Sequence, residues 1–322
     1  MGRRQHYGAF YGLAPAPWAD DRPKSIVVGN CQAESMRILL ESSGWLTTMR
    51  IPPIFEWTEE DTARARELIA VIDVLVIQPV HADYRGMPCG TEQLEALLRP
   101  DAISVRIPSL RYNGLHPYHA IVRDPQDSSL DPPVVPYSDL RTIVAAAAGR
   151  DPADAADWLA GAPVLSLQAI EAAAEESVSQ LRRRQDAHGT VVMDDVLAAA
   201  PHWPTINHPD TATLMALAER TLQRAAEVTG AEAVVTPVHP GRELLGGLEA
   251  PVRMEAAAVL AAELREGARE DAWQSRDWDA PVSEDQVAAE QAVFCQRPGF
   301  VEAALDRCRE RIEILGLDAL LP

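Results

Sequence analysis

The stretch IVVGNCQAESMRILL, residues 26–40, decides the fold expected of this chain. β-Branched apolar residues run into Gly29-Asn30-Cys31-Gln32, and apolar residues at positions 33, 36, 39 and 40 then follow a helical period. Gly44 is a typical stop signal for such a helix. The sequence therefore predicts a strand over 25–28 and a helix over 32–41, with a cysteine at the turn that joins them.

The same alternation continues along the first part of the chain. Strands are predicted in WLTTMRIPPI (45–54), DVLVIQPV (73–80) and AISVRIPSL (102–110), and helices in TEEDTARARELIAV (58–71) and TEQLEALLRP (91–100). Thr58 is the expected N-cap of the first of these helices. Strands and helices in this order predict an α/β fold, a parallel sheet flanked by helices. From about residue 139 the chain is Ala-rich and mostly helical in pattern, with a helix starting near Asp210.

Composition excludes several classes of function. The net charge of −19 argues against a nucleic-acid binder and against a protein that binds anionic membranes, because both need a basic face. The four cysteines, at 31, 89, 295 and 308, show no zinc-ligand spacing, so no metal is expected. So few cysteines in a long chain fit a reducing cytoplasm. No stretch approaches the length of a membrane span, and the N-terminus has no continuous apolar segment typical of a signal peptide.

Candidate functional residues follow the predicted strands. In parallel α/β sheets, ligands bind beyond the carboxyl ends of the strands. The sequence places a polar set there: Gly29, Asn30, Cys31, Gln32, Gln78, Arg85, Arg111, Tyr112, Asn113 and His116. Among them Cys31 has the clearest chemistry, because a helix N-terminus stabilises a thiolate and lowers the pKa of the thiol.

A cysteine nucleophile needs a base, which is normally a histidine. His116 in NGLHPYH follows a predicted strand closely, and His208 in INHPD precedes a long helical pattern. Sheet geometry favours His116, but the sequence leaves both open. Cys31 is also compatible with a purely structural role, as a small residue packed at a tight turn.

A family resemblance rests on four segments. VVGNCQAESM, DVLVIQPVHADYRGMPCGTEQLEALL, ISVRIPSLRYNGLHPY and TINHPDTATLMALAERTL resemble, in this order, the WcbI-type family of capsular polysaccharide biosynthesis proteins. The resemblance covers roughly residues 25–230, and Gly-Asn-Cys-Gln is its most specific part. It divides the chain into an N-terminal extension (1–24), an α/β domain (25–230) and a helical C-terminal elaboration (231–322) packed on the same domain.

The resemblance also implies a function. It implies a fold distantly similar to SGNH hydrolases, bound coenzyme A or acetyl-CoA as acyl donor, and acyl transfer to a sugar or glycoconjugate acceptor. Cys31 then stands where an SGNH enzyme has its serine, and Gln78 stands near the block that supplies an oxyanion-hole amide. His116 and His208 both resemble the histidine block.

Three hypotheses remain open at the level of sequence. The first is a CoA-dependent acyltransferase, the second an esterase or thioesterase with water as acceptor, and the third a non-enzymatic module that binds CoA or a nucleotide. For the coenzyme's phosphates the candidates are Arg85, Arg106 and Arg111, because guanidinium groups suit phosphate oxygens. The other residues expected at the coenzyme site are Gly29, Asn30, Gln32, Tyr112 and Asn113.

Overall fold

A computed structural model describes residues 2–18, 20–162, 164–230 and 235–322. Within them the α-helices are Arg3–His6 (α1), Gln32–Ser42 (α2), Glu59–Ile69 (α3), Thr91–Glu95 (α4), Leu140–Ala147 (α5), Ala155–Ala160 (α6), Leu167–His188 (α7), Asp194–Ala198 (α8), Thr211–Thr229 (α9), Met254–Val259 (α10), Glu284–Phe294 (α11) and Phe300–Ile314 (α12). The strands are Lys24–Val28 (β1), Thr47–Met49 (β2), Val74–Ile77 (β3), Ile103–Arg106 (β4), His119–Ala120 (β5), Ser138–Asp139 (β6), Leu248–Glu249 (β7), Ala272–Ser275 (β8) and Val282–Ser283 (β9). Short 3-10 turns are Ile54–Glu56, Tyr84–Gly86, Pro152–Asp154 and Asp318–Leu320.

The first four strands form one parallel sheet in the order β2-β1-β3-β4. In its register Val28 lies opposite Ile77, and Ile77 lies opposite Arg106. The carboxyl ends of β1, β3 and β4 are therefore level with one another. The predicted α/β class, with a helix-flanked parallel sheet, is confirmed.

Local signals set the helix ends as the sequence predicted. Thr58 caps α3 in a reciprocal box: its Oγ1 accepts the Asp61 N–H at 3.3 Å, and the Asp61 carboxylate accepts the Thr58 N–H at 2.9 Å. Gly44, just beyond α2, has a φ of +72°, a conformation that glycine adopts without steric cost. At α9 the Asp210 side chain accepts the Thr213 N–H at 2.8 Å.

The chain divides into two compact units. The first comprises residues 1–110, 180–194 and 209–245 and holds the parallel sheet. Its core packs strand residues such as Ile26, Leu75 and Ile77 against aromatic residues such as Phe10 and Trp57. Helices α2 and α9 pack against each other, and α9 packs on β4. Strands β1, β2 and β3 are buried almost throughout, as expected for a sheet covered by helices, whereas the edge strand β4 is mostly half-buried.

The second unit comprises residues 111–179, 195–208 and 246–322. Its main core is formed by residues of α5, α7, α10 and α12, among them Ile143, Phe300 and Ile312. It also contains two small antiparallel sheets, β5-β6 and β7-β8-β9. The sequence predicted only helices for residues 250–322 and missed β8 and β9, because strands of two to four residues are too short to show an alternating pattern.

The predicted boundaries at 24/25 and 230/231 stay a prediction, since each unit is assembled from separate stretches of sequence. Residue 231, where the helical C-terminal part was expected to begin, lies outside the described residues, as do Met1 and Ala19 of the predicted N-terminal extension. No helix within the described residues is both long enough and apolar enough to cross a membrane.

Candidate active site

The turn between β1 and α2 carries Cys31. β1 ends at Val28, and Cys31 is the N-cap residue of the 11-residue helix α2. The cysteine is half-buried and forms no disulfide. The predicted strand, turn and helix are confirmed at this point, and the positive end of the α2 dipole lies at Cys31.

Gly29 is required by a close approach. A Cβ atom at this position would lie 2.5 Å from Oε1 and 2.9 Å from Cδ of Gln78, which is far inside van der Waals contact. The glycine lets the side chain of Gln78, from the end of β3, lie directly against the turn. Glycine is therefore needed at position 29 for steric reasons and not because the backbone is left-handed there.

Three hydrogen bonds that involve the side chains of Asn30 and Gln78 stabilise the turn. The Asn30 N–H donates to Gln78 Oε1 at 2.8 Å, and Asn30 Nδ2 donates to Ser109 Oγ at 2.9 Å. Asn30 Oδ1 accepts the N–H of Gln32 at 2.9 Å, which satisfies one of the unpaired donors at the start of α2. These bonds join the turn to the ends of β3 and to the segment after β4.

The side-chain amides of Gln32 and Gln78 are also bonded to each other. Gln32, which is fully buried, donates through Nε2 to the carbonyl of Leu110 at 2.8 Å and accepts the Leu110 N–H at 3.1 Å. Gln78 Nε2 donates to Gln32 Oε1 at 3.0 Å and to the carbonyl of Pro108 at 3.3 Å. Both amide hydrogens of Gln78 are thus engaged, and none is left for a developing oxyanion. In this structure Gln78 supports the turn, and its oxyanion role stays a prediction.

The other three cysteines are poor nucleophiles. Burial raises the pKa of Cys89, with the nearby charge of Asp83 adding to the effect, and burial also raises the pKa of Cys308. Burial raises the pKa of Cys295 to about 12. Each would carry almost no thiolate near neutral pH, which leaves Cys31 as the candidate nucleophile.

The predicted phosphate-binding arginines differ in how far they are already occupied. Arg106 is held by Glu95, with Nε to Oε1 at 2.8 Å and the NH2 group to the second carboxylate oxygen at 2.5 Å. Its NH1 group donates to the carbonyl of His188 at 3.3 Å. Arg85 is exposed, has a left-handed backbone (φ 55°) and donates to the Phe55 carbonyl. Arg111 is exposed and belongs to the second unit. Of the three, Arg106 is the least available for a phosphate.

Tyr112 and Asn113, expected at the coenzyme site, are buried within the second unit. Asn113 Nδ2 donates to the carbonyls of His119 at 2.8 Å and His116 at 3.3 Å, and its N–H donates to Ser177 Oγ at 3.1 Å. Burial strongly raises the pKa of Tyr112. In this structure Asn113 holds together the loop that carries His116 and His119.

The two candidate bases lie in different environments of the second unit. His116 is buried, and both ring nitrogens face backbone carbonyls, Nδ1 that of Pro251 at 2.9 Å and Nε2 that of Trp203 at 3.1 Å. A neutral ring has a single N–H, so one nitrogen donates to its carbonyl and the other faces a carbonyl with its lone pair. Both nitrogens are covered by the protein backbone, and the role of His116 as base stays a prediction. Among the described residues His208 Nδ1 has no hydrogen-bond partner, and burial lowers the pKa of this histidine to about 4, so the ring is neutral at pH 7.

A cluster that the sequence did not indicate lies in the second unit. His119, Asp139 and Glu284 each bring one potential metal-ligand atom within 4.8 Å of the others. Arg141 NH2 bridges Asp139 at 2.6 Å and Glu284 at 3.2 Å, and Arg253 also pairs with Glu284. Two guanidinium groups already neutralise the two carboxylates, so a cation would add uncompensated charge. The β5-β6 pairing, in which His119 lies opposite Asp139, builds this cluster.

Comparisons with known proteins agree with this architecture. The sequence model of a family described as the polysaccharide biosynthesis enzyme WcbI matches residues 24–230. A solved structure of WcbI, a polysaccharide biosynthesis enzyme, is similar with a TM-score of 0.71 at 18% identity, over 92% of this chain and 99% of that one. It is the native form of that protein without a disulfide bond between coenzyme A and one of its cysteines. No match was found among curated proteins.

Proposed function

This chain belongs to the WcbI family of polysaccharide biosynthesis enzymes, and on that premise we propose that it is a coenzyme A-dependent acyltransferase. Acetyl-CoA is the proposed donor and a sugar hydroxyl of a polysaccharide or glycoconjugate the proposed acceptor. The observation that carries the proposal is Cys31 at the N-cap of α2, level with the carboxyl ends of the sheet strands. The cytoplasm is the proposed location.

Cys31 would act as the nucleophile in two steps. Its thiolate Sγ attacks the thioester carbonyl carbon of acetyl-CoA, the bond from that carbon to the coenzyme sulfur breaks, and the coenzyme leaves as a thiolate that takes up a proton. The sugar hydroxyl then attacks the acyl-cysteine, gives its proton to a base, and releases Cys31 as a thiolate. Both steps benefit from a cysteine that is stabilised as the anion by the helix N-terminus.

The amide bracing supports this role. Asn30, Gln32 and Gln78 are neutral groups, so they fix the turn without placing a negative charge beside the thiol. A carboxylate in any of these positions would raise the pKa of a neighbouring thiol. The three amides therefore add no charge of their own to the field of the helix N-terminus at Cys31.

Coenzyme A as the bound cofactor is supported by the solved WcbI structure, the native form of that protein without a disulfide bond between coenzyme A and a cysteine. Arg85 and Arg111 are the proposed ligands of the coenzyme's phosphates, because both residues are exposed. Arg106 is left out of this assignment because Glu95 binds it through two hydrogen bonds.

His208 is the proposed base, in place of His116. Its ring is neutral at pH 7 because burial lowers its pKa to about 4, and a neutral imidazole accepts a proton. His116→Ala and His208→Ala, both compared for turnover of acetyl-CoA, test this assignment. Loss of turnover in His116→Ala alone, with both proteins folded, would reverse it.

The decisive experiment follows the acyl group. Wild type incubated with acetyl-CoA should gain the mass of one acetyl group on Cys31. In a separate sample without acetyl-CoA, Cys31 should be the cysteine that alkylates fastest near neutral pH. Cys31→Ser should lose both properties, whereas the matched variant Cys308→Ser, which removes a thiol with a raised pKa, should keep them. Acetylation that persists in Cys31→Ser would contradict the mechanism.

Binding separates the enzymes from a non-catalytic module. Coenzyme A at about 100 times its dissociation constant should stabilise the protein by about 2.7 kcal/mol. Binding without any acyl-cysteine would favour the module. Release of acetate from acetyl-CoA at the same rate with and without sugars would favour a thioesterase.

A further inference from the structure

A polar groove in the first unit has no role in the mechanism above. It is formed by the edge of β4, the C-terminal end of α7 with the residues that follow, and α9. Its volume of about 870 Å³ is within the range of roughly 300–1,000 Å³ that is typical of ligand sites. Side chains that line it include Ser104, Arg106, Asp186, His188, Arg220 and Gln223.

One end of the groove lies near the segment that follows β4. Arg106, which lines the groove, is the last residue of β4 and is in register with the end of β3. Ser109, three residues further along, accepts the side-chain amide hydrogen of Asn30. Because three residues span at most about 10 Å, one end of the groove lies within about that distance of Ser109.

Charge in the groove is balanced. Arg106, Arg220 and Arg224 are matched by three acidic residues, Glu95, Asp186 and Glu227. Arg106 is paired with Glu95, and Arg224 with Glu227 at 3.3 Å. A surface without net positive charge does not attract a polyanion such as the nucleotide end of coenzyme A. The absence of net charge in the groove suits a neutral ligand.

Three side chains in the groove are open to a ligand. Asp186, His188 and Gln223 are exposed, and their side chains make no hydrogen bond to any residue that the structure describes. Together they offer a carboxylate acceptor, an imidazole and an amide that both donates and accepts. Sugar hydroxyls likewise donate and accept, so a polyhydroxylated ligand can satisfy all three groups.

We propose that this groove binds the carbohydrate acceptor, an inference that rests on the acyl transfer proposed above. The lining is polar and carries no net charge, which suits a chain of neutral sugars, and the end of the groove at Arg106 is three residues from Ser109, which contacts Asn30 beside Cys31. Gln223, on α9, contacts the sugar and does not take part in the acyl chemistry.

The test uses saturation-transfer NMR on the full chain with tetrasaccharides of glucose, mannose and galactose as probes. Gln223→Trp, which fills part of the groove from an exposed helical position, should weaken binding of the saccharide by about tenfold, as expected when a hydrogen bond is replaced by a steric block. The matched control is Glu219→Trp, one turn earlier on α9, exposed and outside the groove lining. It should bind as wild type does.

Each outcome decides between the proposals. Loss of saccharide binding in Gln223→Trp, with coenzyme A binding and acylation of Cys31 intact, supports the groove as acceptor site. Saccharide binding that is unchanged in this variant, or that wild type lacks for every probe, overturns it. Loss of coenzyme A binding in Gln223→Trp would show that the groove binds the coenzyme, and this result would also overturn the proposed saccharide site. If wild type binds no coenzyme A, the proposed function itself fails, whatever the saccharides do.

Discussion

The turn around Cys31 in the first unit and the cluster around Asp139 in the second are both buried polar networks, but they are built from different groups. Around Cys31 the partners are neutral amides, and the side chain of Gln78 bonds to the Asn30 N–H, to Gln32 Oε1 and to the carbonyl of Pro108, which are all neutral. Around Asp139 two carboxylates are matched by Arg141 and Arg253. Neutral amides can fix the geometry of a turn without adding charge beside a thiol, whereas the charges of ion pairs mainly compensate one another.

Removing a cation from the charged network should have the largest effect. Arg141→Met leaves Asp139 buried beside Glu284 without its main partner, and we expect the free energy of unfolding to fall by about 3–5 kcal/mol. Urea denaturation measures this loss. Arg309→Met is the matched control, because Arg309 and Asp306 are 70% and 81% exposed and their pair contributes about 0–1 kcal/mol. Equal losses in the two variants would show that the cluster is not a buried network.

Breaking the amide network around Cys31 should lower the free energy of unfolding less than the loss of Arg141 does, but it should also lower the reactivity of Cys31. Gln78→Leu leaves the Asn30 N–H and Gln32 Oε1 without this partner, and we expect a loss of about 1–3 kcal/mol with slower alkylation of Cys31. The measurements are urea denaturation and the rate of iodoacetamide labelling. Gln223→Leu, on the exposed surface, should change neither. Unchanged labelling in Gln78→Leu would separate the bracing from the thiol's reactivity.

Acid should weaken the second unit through its buried histidines. Burial lowers the pKa of His208 to about 4, below the value of about 6.5 for an unfolded chain, so the neutral ring stabilises the fold above pH 6.5 and this contribution is lost as the pH falls toward 4. Between pH 8 and pH 5 the loss from His208 amounts to up to about 2 kcal/mol. In His208→Gln the fall in unfolding free energy over this range should be smaller by that amount. His188→Gln, at an exposed position, should follow wild type; a His208→Gln profile that also follows wild type would disprove the linkage.

The smallest expected effect concerns the close approach at the turn. Gly29→Ala places a methyl group 2.5 Å from Gln78 Oε1, and the flexible amide can move away at a cost of about 1 kcal/mol. Thermal unfolding measures this cost. Gly247→Ala is the control, since a Cβ there would have no neighbour within 4 Å. If Gly29→Ala were as stable as the control, Gln78 would not be fixed against the turn.

Much of the first unit could be predicted because its signals are local. The N-cap of α3 at Thr58, the stop at Gly44 and the buried run of β3 each depend on a few neighbouring residues. The short strands β5 and β6 could not be predicted in this way, because two residues carry no period. His119 and Asp139 were consequently not recognised as neighbours.

The position of a cysteine between a buried strand and a helix could be inferred from the sequence alone, because the three apolar residues 26–28 and the eleven-residue helix lie within one stretch. The roles of the surrounding polar groups depend on the tertiary structure. Gln78 meets Gln32 across 46 residues, and His116 meets Pro251 across 135. A hydrogen-bonding group has the same chemistry before folding, but its partner is chosen by the packing of distant segments, and that choice made Gln78 a brace and enclosed His116 between two carbonyls.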